Sequence, residues 1–402
     1  MLKEPFIQAG NIFNVLNENG FECYFVGGSV RDYLSNQPIG DIDIATNAKP
    51  EDMQRIFPKT VPVGIEHGTV LIIDQGNAFE VTTYRTEGEY KDFRRPNKVS
   101  FVDNITIDLS RRDFTMNAMA MDFEGNIVDP FNGQNDLDNK IIRTVRDPFD
   151  RFNEDPLRML RGVRFVSQLN LQMNDKVKEA IQEQHHLLKN ISVERISDEL
   201  IKLFSRTYIN KALCTMEESM IYLSLPIFSE YPKLFKRVKE INFTQHLNHA
   251  GMIFALFHLL QKNVSVNEWI QTYKLSNVIK RQVTHLVNCY ECYRVEGFSK
   301  TMLYELGQLE LENFVYLINL IENKSHKHEP LNHLYEDLPI HSRNELAVSG
   351  QDLIKWFPNE RKGKWVGDYL KEIEHLVIKE RLPNNYHAIE STVKQWKVPK
   401  EN

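Results

Sequence analysis

Four cysteines among 402 residues are too few and too scattered for a disulfide framework, so the chain is expected in a reducing compartment, the cytoplasm. No apolar run is long enough to span a bilayer and no signal peptide opens the chain; MLKEPFIQAGNIF is a mixed, helix-like start. No membrane partner is therefore expected. The net charge of −6 lacks the positive excess that would advertise a nucleic-acid partner, so any basic surface must be local. There is no internal repeat and no low-complexity tail. Cys289-x-x-Cys292 is half a zinc signature without its other half, since Cys23 and Cys214 are distant in sequence; at helical spacing the pair is expected to pack. His246, His249 and His258 sit among apolar residues and are expected buried or at interfaces rather than as ligands. A chain this long buries a large core and holds two to four domains.

What is present is concentrated first in Cys23 to Thr46, CYFVGGSVRDYLSNQPIGDIDIAT. The pattern predicts a strand, a glycine turn, a short helix, a connection and a second strand. Gly27 and Gly28 let backbone approach a ligand. The following helix offers free N–H groups to anions, and Arg31 adds a fork for phosphate oxygens. On the second strand Asp41 and Asp43 share one face, because strand residues two apart do. Two carboxylates on one face suit a hard divalent cation such as Mg²⁺ carrying a nucleotide's phosphates. Apolar Ile42 and Ile44 bury the other face. Glu80, in FEVTTYR, is the candidate third catalytic carboxylate, with a plain surface glutamate as the alternative. Phosphate grip and metal carboxylates in one short unit imply phosphoryl or nucleotidyl transfer.

Along the rest of the chain, residues 5–20 predict an amphipathic helix ending at Gly20, and PEDMQRIF a short helix with proline at its start. VPVGIEHGTVLIID and AFEVTTYR predict two strands around the turn Gln75-Gly76-Asn77. The first ~145 residues mix strands too close for repeated βαβ crossovers, so a small mixed sheet is expected. From Pro148 the 3.6-residue apolar period dominates, as in LRMLRGVRFVSQL and MIFALFHLL. The fold class is therefore α+β, with residues 146–402 nearly all helix. Soft boundaries fall near Thr207, near Phe298 and between Asn323 and Pro330.

Two further constellations carry chemistry. In Ser110-Arg111-Arg112-Asp113-Phe114-Thr115-Met116-Asn117, Ser110 and Asp113 have capping-box spacing for a helix start. Two arginines in a first turn oppose the helix dipole, and a polyphosphate would compensate them. Arg112 is the candidate for the nucleotide, and Asp113 and Asn117 for its ribose hydroxyls. Further on, Glu154 and Asp155 precede Arg158, Arg161 and Arg164, and the last four are spaced by three along one helix stripe. Leu157, Leu160 and Val163 form the parallel apolar stripe. A salt-bridge ladder on a solvated face is the bland alternative. The sharper one concerns the edge of a base. Adenine and cytosine both show an amino donor beside a ring-nitrogen acceptor, whereas guanine and uracil show the reverse. A carboxylate that accepts and a guanidinium that donates admit A and C and leave G and U with clashing groups. Asp155 with Arg158 has that chemistry, Glu154 can orient the guanidinium, and Arg161 and Arg164 can hold phosphates. Near the C-terminus Lys355, Arg361, Lys362, Lys364, Trp365, Lys394, Trp396 and Lys397 form either a grip on nucleic-acid phosphates and bases or a solvated helical face.

Together GGSVRD…DID, RRDFTMNA, DPFDRFNEDPLRMLRGVRF and VERISDEL resemble, in order, the motifs of the class II (bacterial/eukaryotic type) CCA-adding tRNA nucleotidyltransferases, members of the polymerase-β-like nucleotidyltransferase superfamily. The resemblance is strong over residues 20–205 and thinner beyond. It implies a polymerase-β-like head over 1–145, a neck over 146–206 that recognises the base, a helical body over 207–297, and a helical tail over 298–402 that binds tRNA. It implies that Asp41 and Asp43 bind metal. It also implies that Gly28, Arg31, Arg112, Asp155, Arg158, Arg161 and Arg164 bind ATP or CTP. Glu194 and Arg195 take the fifth motif's role of stabilising a helix. Arg85 to Lys98, with Asp92, Arg94 and Arg95, is the family's flexible loop, whose presence argues against a CC-only relative. Poly(A) polymerases share the catalytic motifs but carry a basic head signature that VPVGIEHGTV does not resemble. No His-Asp doublet marks an appended phosphohydrolase. The expected reaction is addition of C, C and A to the 3′ end of tRNA. A non-catalytic tRNA-binding protein is the rival, and oligomeric state is open, a homodimer included.

Overall fold

The computed structural model describes residues 2–88 and 99–396. The chain forms two compact units, the first Met1–Lys239 with Phe243–His246 and Thr272–Lys274, the second Glu240–Asn242, Leu247–Gln271 and Leu275–Asn402. All strands among the described residues lie in the first unit.

In chain order the strands are β1 (Cys23–Val26), β2 (Asp43–Thr46), β3 (Thr60–Gly64), β4 (Thr69–Asp74), β5 (Asn77–Thr83), β6 (Arg85–Glu87), β7 (Val99–Phe101), β8 (Ala120–Met121) and β9 (Ile127–Val128). Strands β6 and β7 pair with each other; the other seven form one sheet in the order β3-β4-β5-β2-β1-β8-β9. Its neighbours are antiparallel except β2 and β5, which are parallel, so the sheet is mixed, as expected.

Alternation of side chains supplies two cores. Phe25 and Ile44 pack on one face with Phe6, Phe13 and Leu16 of the N-terminal segment. Each such fully buried side chain contributes roughly 1.5–3 kcal/mol relative to exposure. Val26, Ala45 and Ala120 pack on the other face with Tyr84, Leu109 and Val145.

Three local readings change. The N-terminal helix is a 3-10 turn, Phe6–Ala9, running into an α-helix, Gly10–Glu18. VPVGIEHGTVLIID is two strands, because a 3-10 turn at Ile65–His67 and Gly68 at φ +83° interrupt it. Beyond residue 146 one strand persists: β11 (Gln172–Met173) pairs in parallel with β10 (Ile141–Ile142). The two helices that matter most for the site follow, Pro148–Glu154 capped by Asp147 and Leu157–Leu169. A third, Val193–Phe204, packs against the latter.

In the second unit, helix Ala250–Leu260 is apolar nearly all round because it is buried nearly all round. Its N-cap is His249, whose ring also reaches Glu310 at 3.2 Å. Cys289 is buried and Cys292 exposed on one helix, and all four cysteines are free. Of the basic C-terminal set, Trp365 is 5% exposed and packs against Phe357 and Tyr369, so it belongs to a core and not to a stacking platform. Lys397 lies outside the described residues. No described helix is long and apolar enough to cross a membrane.

Candidate active site

The site begins where β1 ends and β2 starts. Antiparallel register sets Val26 opposite Asp43, so the Gly27–Gly28 turn opens beside that carboxylate. Gly27 has φ +73°, and a Cβ there would stand 2.9 Å from Arg112 Nη1 and 3.6 Å from Asp43 Oδ2. Conformation and space both require glycine. Parallel register sets Asp43 opposite Glu80 on β5. Asp41 lies two residues before the first strand residue, yet the alternation carries through: Asp41 and Asp43 are exposed while Ile42 and Ile44 are buried. Asp41, Asp43 and Glu80 line one cleft of about 460 Å³.

Although Asp43 stays open to solvent, the protein crowded around it strips part of its hydration and raises its proton affinity; Arg112 opposes this, and the charges of Glu80 and Asp41 add to it. This cluster offers only oxygen acceptors and an excess of negative charge. That chemistry fits a hard divalent cation. Among the described residues no three His, Cys, Asp or Glu side chains make a ready-made cage.

Asp43 also lines a second cleft, of about 540 Å³. Nine of its seventeen lining residues are arginine or lysine and three are aspartate, a lining whose charge suits an anion. Arg31, on helix Gly28–Leu34, is 5% exposed and donates through Nη1 to Asn117 Oδ1 at 2.6 Å. Asn117 donates to Asp113 Oδ1 at 3.1 Å. Arg161 donates to Asp113 Oδ2 through Nε at 2.9 Å and Nη2 at 2.7 Å. Burial alone would raise the Asp113 carboxyl. The Arg161 charge, with hydrogen bonds from Asn117, Arg161 and the Phe114 N–H, holds it well below the usual range instead.

The expected helix start at Ser110 is absent. A helix ends there, Ile105–Ser110, capped by Asn104 whose side chain accepts from Thr106 N–H at 2.8 Å. Arg111 and Arg112 therefore follow a C-terminus, where cations suit the dipole. The compensation assigned to a polyphosphate comes from Asp108, 1% exposed, which contacts Arg111 at 2.8 Å and Arg112 at 3.4 Å.

The neck helices complete the cleft. Arg158 donates through Nη1 to Glu154 Oε2 at 2.7 Å and to the Arg151 carbonyl at 3.1 Å. Arg151, 2% exposed, also grips Glu154 and donates to the Arg111 and Arg112 carbonyls. One guanidinium thus ties the Arg111–Arg112 segment to the neck. Asp155 accepts from Leu157 N–H at 3.1 Å and from Arg195 Nη2 at 2.7 Å. Arg164 lies 2.7 Å from Glu199 and stands over the Phe165 ring at 3.9 Å. Burial lowers its pKa to about 10, with Glu199 opposing.

All the candidates converge on these two clefts, except that Glu154 reaches the larger one through Arg158. Asp43 alone lines both. Sequence reasoning gave no role to Asp108, Arg151 or Glu199, and set Arg195 aside as structural. Of the expected loop Arg85 to Lys98, residues 89–98, with Asp92, Arg94 and Arg95, lie outside the described residues.

Comparison with known proteins gives the class first. Residues 23–143 match the family described as poly A polymerase head domain, and 245–393 match tRNA nucleotidyltransferase domain 2, putative. Residues 170–231 match a probable RNA and SrmB-binding site of polymerase A. The molecule is a nucleotidyltransferase head carried with RNA-processing segments. Over its full length the chain is 43% identical to the CCA-adding enzyme of Oceanobacillus iheyensis, covering 98% of both. It is 40% identical to that of a Geobacillus species, covering 96% of both. The crystal structure of the Bacillus stearothermophilus CCA-adding enzyme in complex with CTP superposes with a TM-score of 0.87 at 34% identity, over 98% of this chain and 97% of that one. The Thermotoga maritima CCA-adding enzyme complexed with tRNA shares the fold, with a TM-score of 0.61 at 22% identity over 97% and 96% of the two chains. The chain belongs to the CCA-adding enzyme family.

Proposed function

We propose that this protein adds C, C and A to the 3′ end of tRNA from CTP and ATP, without a nucleic-acid template, in the cytoplasm. The observation that carries the reading is the arrangement of Arg158 and Asp155 at the cleft that contains Asp43. Arg158 is 7% exposed and its guanidinium is fixed by Glu154, while Asp155 is fixed by Arg195. A donor and an acceptor held in place by neighbours suit the edge shared by cytosine and adenine and mismatch that of uracil and guanine.

Residue roles follow from placement. Asp41 and Asp43 would hold Mg²⁺, which when bound supplies charge neutralisation for the attacking 3′-oxygen and the α-phosphate. Glu80, opposite Asp43, adds a third acceptor for the approaching hydroxyl or its water. Gly28 gives backbone access, and Arg31, Arg112, Arg161 and Arg164 hold the triphosphate. Asn117 is placed for a ribose hydroxyl; both Asp113 oxygens already accept hydrogen bonds, so a ribose contact there would displace one. The 3′-oxygen forms a bond to the α-phosphorus, the bond to the bridging oxygen breaks, and pyrophosphate leaves. The hydroxyl proton passes to water at the carboxylate cluster. Residues 1–145 act as catalytic head and 146–206 as base-choosing neck, with the helical remainder meeting the tRNA.

The test is incubation with Mg²⁺, a tRNA lacking its CCA end and each labelled NTP, followed by sequencing of the 3′ end. CCA is expected. CC alone would mean a partial enzyme, a long A tail a poly(A) polymerase, and no incorporation a tRNA-binding protein without catalysis.

A further inference from the structure

Helix Val193–Phe204 runs along the larger cleft with its charges in steps. Arg195 meets Asp155 at the base-recognition end. One turn on, Glu199 meets Arg164 at 2.7 Å and Arg161 at 3.7 Å. The next steps are Lys202 and, just past the helix end, Arg206; both line the cleft and both are exposed. They differ from every other cation on its wall. Each of the seven deeper guanidinia contacts a carboxylate, as Arg158 does Glu154 and Arg161 does Asp113. Among the described residues Lys202 and Arg206 take part in no ion pair. The uncompensated positive charge of the cleft is therefore concentrated at the end farthest along from Asp155.

Geometry says which anion meets it. In an in-line displacement the attacking and leaving oxygens lie on opposite sides of phosphorus. The smaller cleft, with Asp41 and Glu80, contains no arginine or lysine. A hydroxyl arriving at Asp43 from that side expels pyrophosphate into the larger cleft. There it passes Arg161 and Arg164, whose charges are partly answered by Asp113 and Glu199, and then reaches two cations that are not. The same path, reversed, is how a triphosphate enters.

We infer that Lys202 and Arg206 form a polyphosphate relay at the mouth of the cleft, capturing incoming NTP triphosphate and drawing out pyrophosphate. This rests on the nucleotidyl-transfer reading above and adds two binding residues to it. An exposed cation without a carboxylate partner is suited to such a transient site, because it attracts a polyanion by charge while solvent keeps each contact weak.

The test uses the full-length protein with Lys202→Gln and Arg206→Gln combined, and Lys202→Arg with Arg206→Lys as the charge-keeping control. Equilibrium dialysis of labelled inorganic pyrophosphate with Mg²⁺ needs no turnover. The double glutamine variant should bind it about ten-fold more weakly, two exposed charge contacts of under 1 kcal/mol each. Its KM for CTP and for ATP should rise by the same factor while KM for tRNA stays put, and the control should restore both. Equal pyrophosphate affinity in wild type and variant overturns the inference. So does a raised KM for tRNA with pyrophosphate binding unmoved, which would make the pair an RNA-backbone contact. A wild type that incorporates no nucleotide would instead remove the function on which the relay depends.

Discussion

Asp41, Asp43 and Glu80 bring three acids to one opening, with Arg112 the cation that answers Asp43. Across Asp43, the neck treats charge in the opposite way. Glu154, Asp155, Arg158, Arg161 and Arg164 are each paired, Glu154 with three guanidinia, those of Arg146, Arg151 and Arg158. The first region is left electrostatically incomplete by folding; the second is paired by folding except at Lys202 and Arg206. Preorganised partners of that kind are what hold donors in position without reorganisation at the moment of reaction. In the proposed function, chemistry and choice of substrate would be built from contrasting uses of the same carboxylates and guanidinia.

The largest effect should come from the incomplete side. Asp43→Ala is expected to lower kcat/KM for CMP incorporation by about 10³-fold or more, the scale of losing a metal ligand at the reacting phosphate. Because it removes a like-charge contact, the thermal midpoint should hold or rise. Activity near wild type would end the metal role, and a large fall in midpoint would show that the cluster is a structural feature after all.

Breaking the paired side should change choice more than rate. Arg158→Ala leaves Glu154 still held by Arg151, so the fold should survive. Discrimination against UTP and GTP should weaken by about 2 kcal/mol, roughly 30-fold, the worth of one good base-edge contact. Steady rejection of both nucleotides by the variant would place the template elsewhere.

What the residues revealed in advance divides along the same line. The strand–glycine turn–helix–strand unit was legible because its signals are local: alternation around Asp43, a glycine pair, an apolar flank. The ladder of Arg158, Arg161 and Arg164 was legible because helix spacing alone aligns it; Asp155, expected on the same stripe, lies instead in extended backbone between the two neck helices, where Pro156 opens the second of them. Partners distant in sequence were not. Arg31 finds Asn117 and Arg195 finds Asp155 only through the tertiary fold. Ser110 misled because capping-box spacing also occurs past a helix end; a true capping box is formed by Ser349 and Asp352. Asp108 had a visible signal, an acid three and four residues before two arginines, but the apolar look of ITIDLS hid it. Arg151 stood in a quoted motif without a role, since beside Glu154 its acceptors are backbone carbonyls forty and thirty-nine residues away.

The smallest effect is the response to pH, and its sign differs between the two regions. Asp113 has a folded-state pKa below its unfolded value, so its stabilisation is fully present above the ordinary carboxylate range, about 4. It is lost as pH falls through that range toward the folded value. Asp43 has a folded-state pKa above its unfolded value. Protonation there relieves the cluster, so that contribution is present below the unfolded value and lost as pH rises through the folded one. Acidification should therefore ease the carboxylate end first and loosen the neck only later. Urea unfolding of wild type, Asp43→Asn and Asp113→Asn across pH 7 to 3 separates the two. Asp113→Asn should cost about 1 kcal/mol at pH 7, a buried-pair loss discounted because Arg161 is 35% exposed. It should also flatten the acid limb of the stability curve. Asp43→Asn should cost nothing at pH 7 and leave the acid limb steep. Parallel curves for all three proteins would mean that the contrast between the two regions carries no linkage to protons.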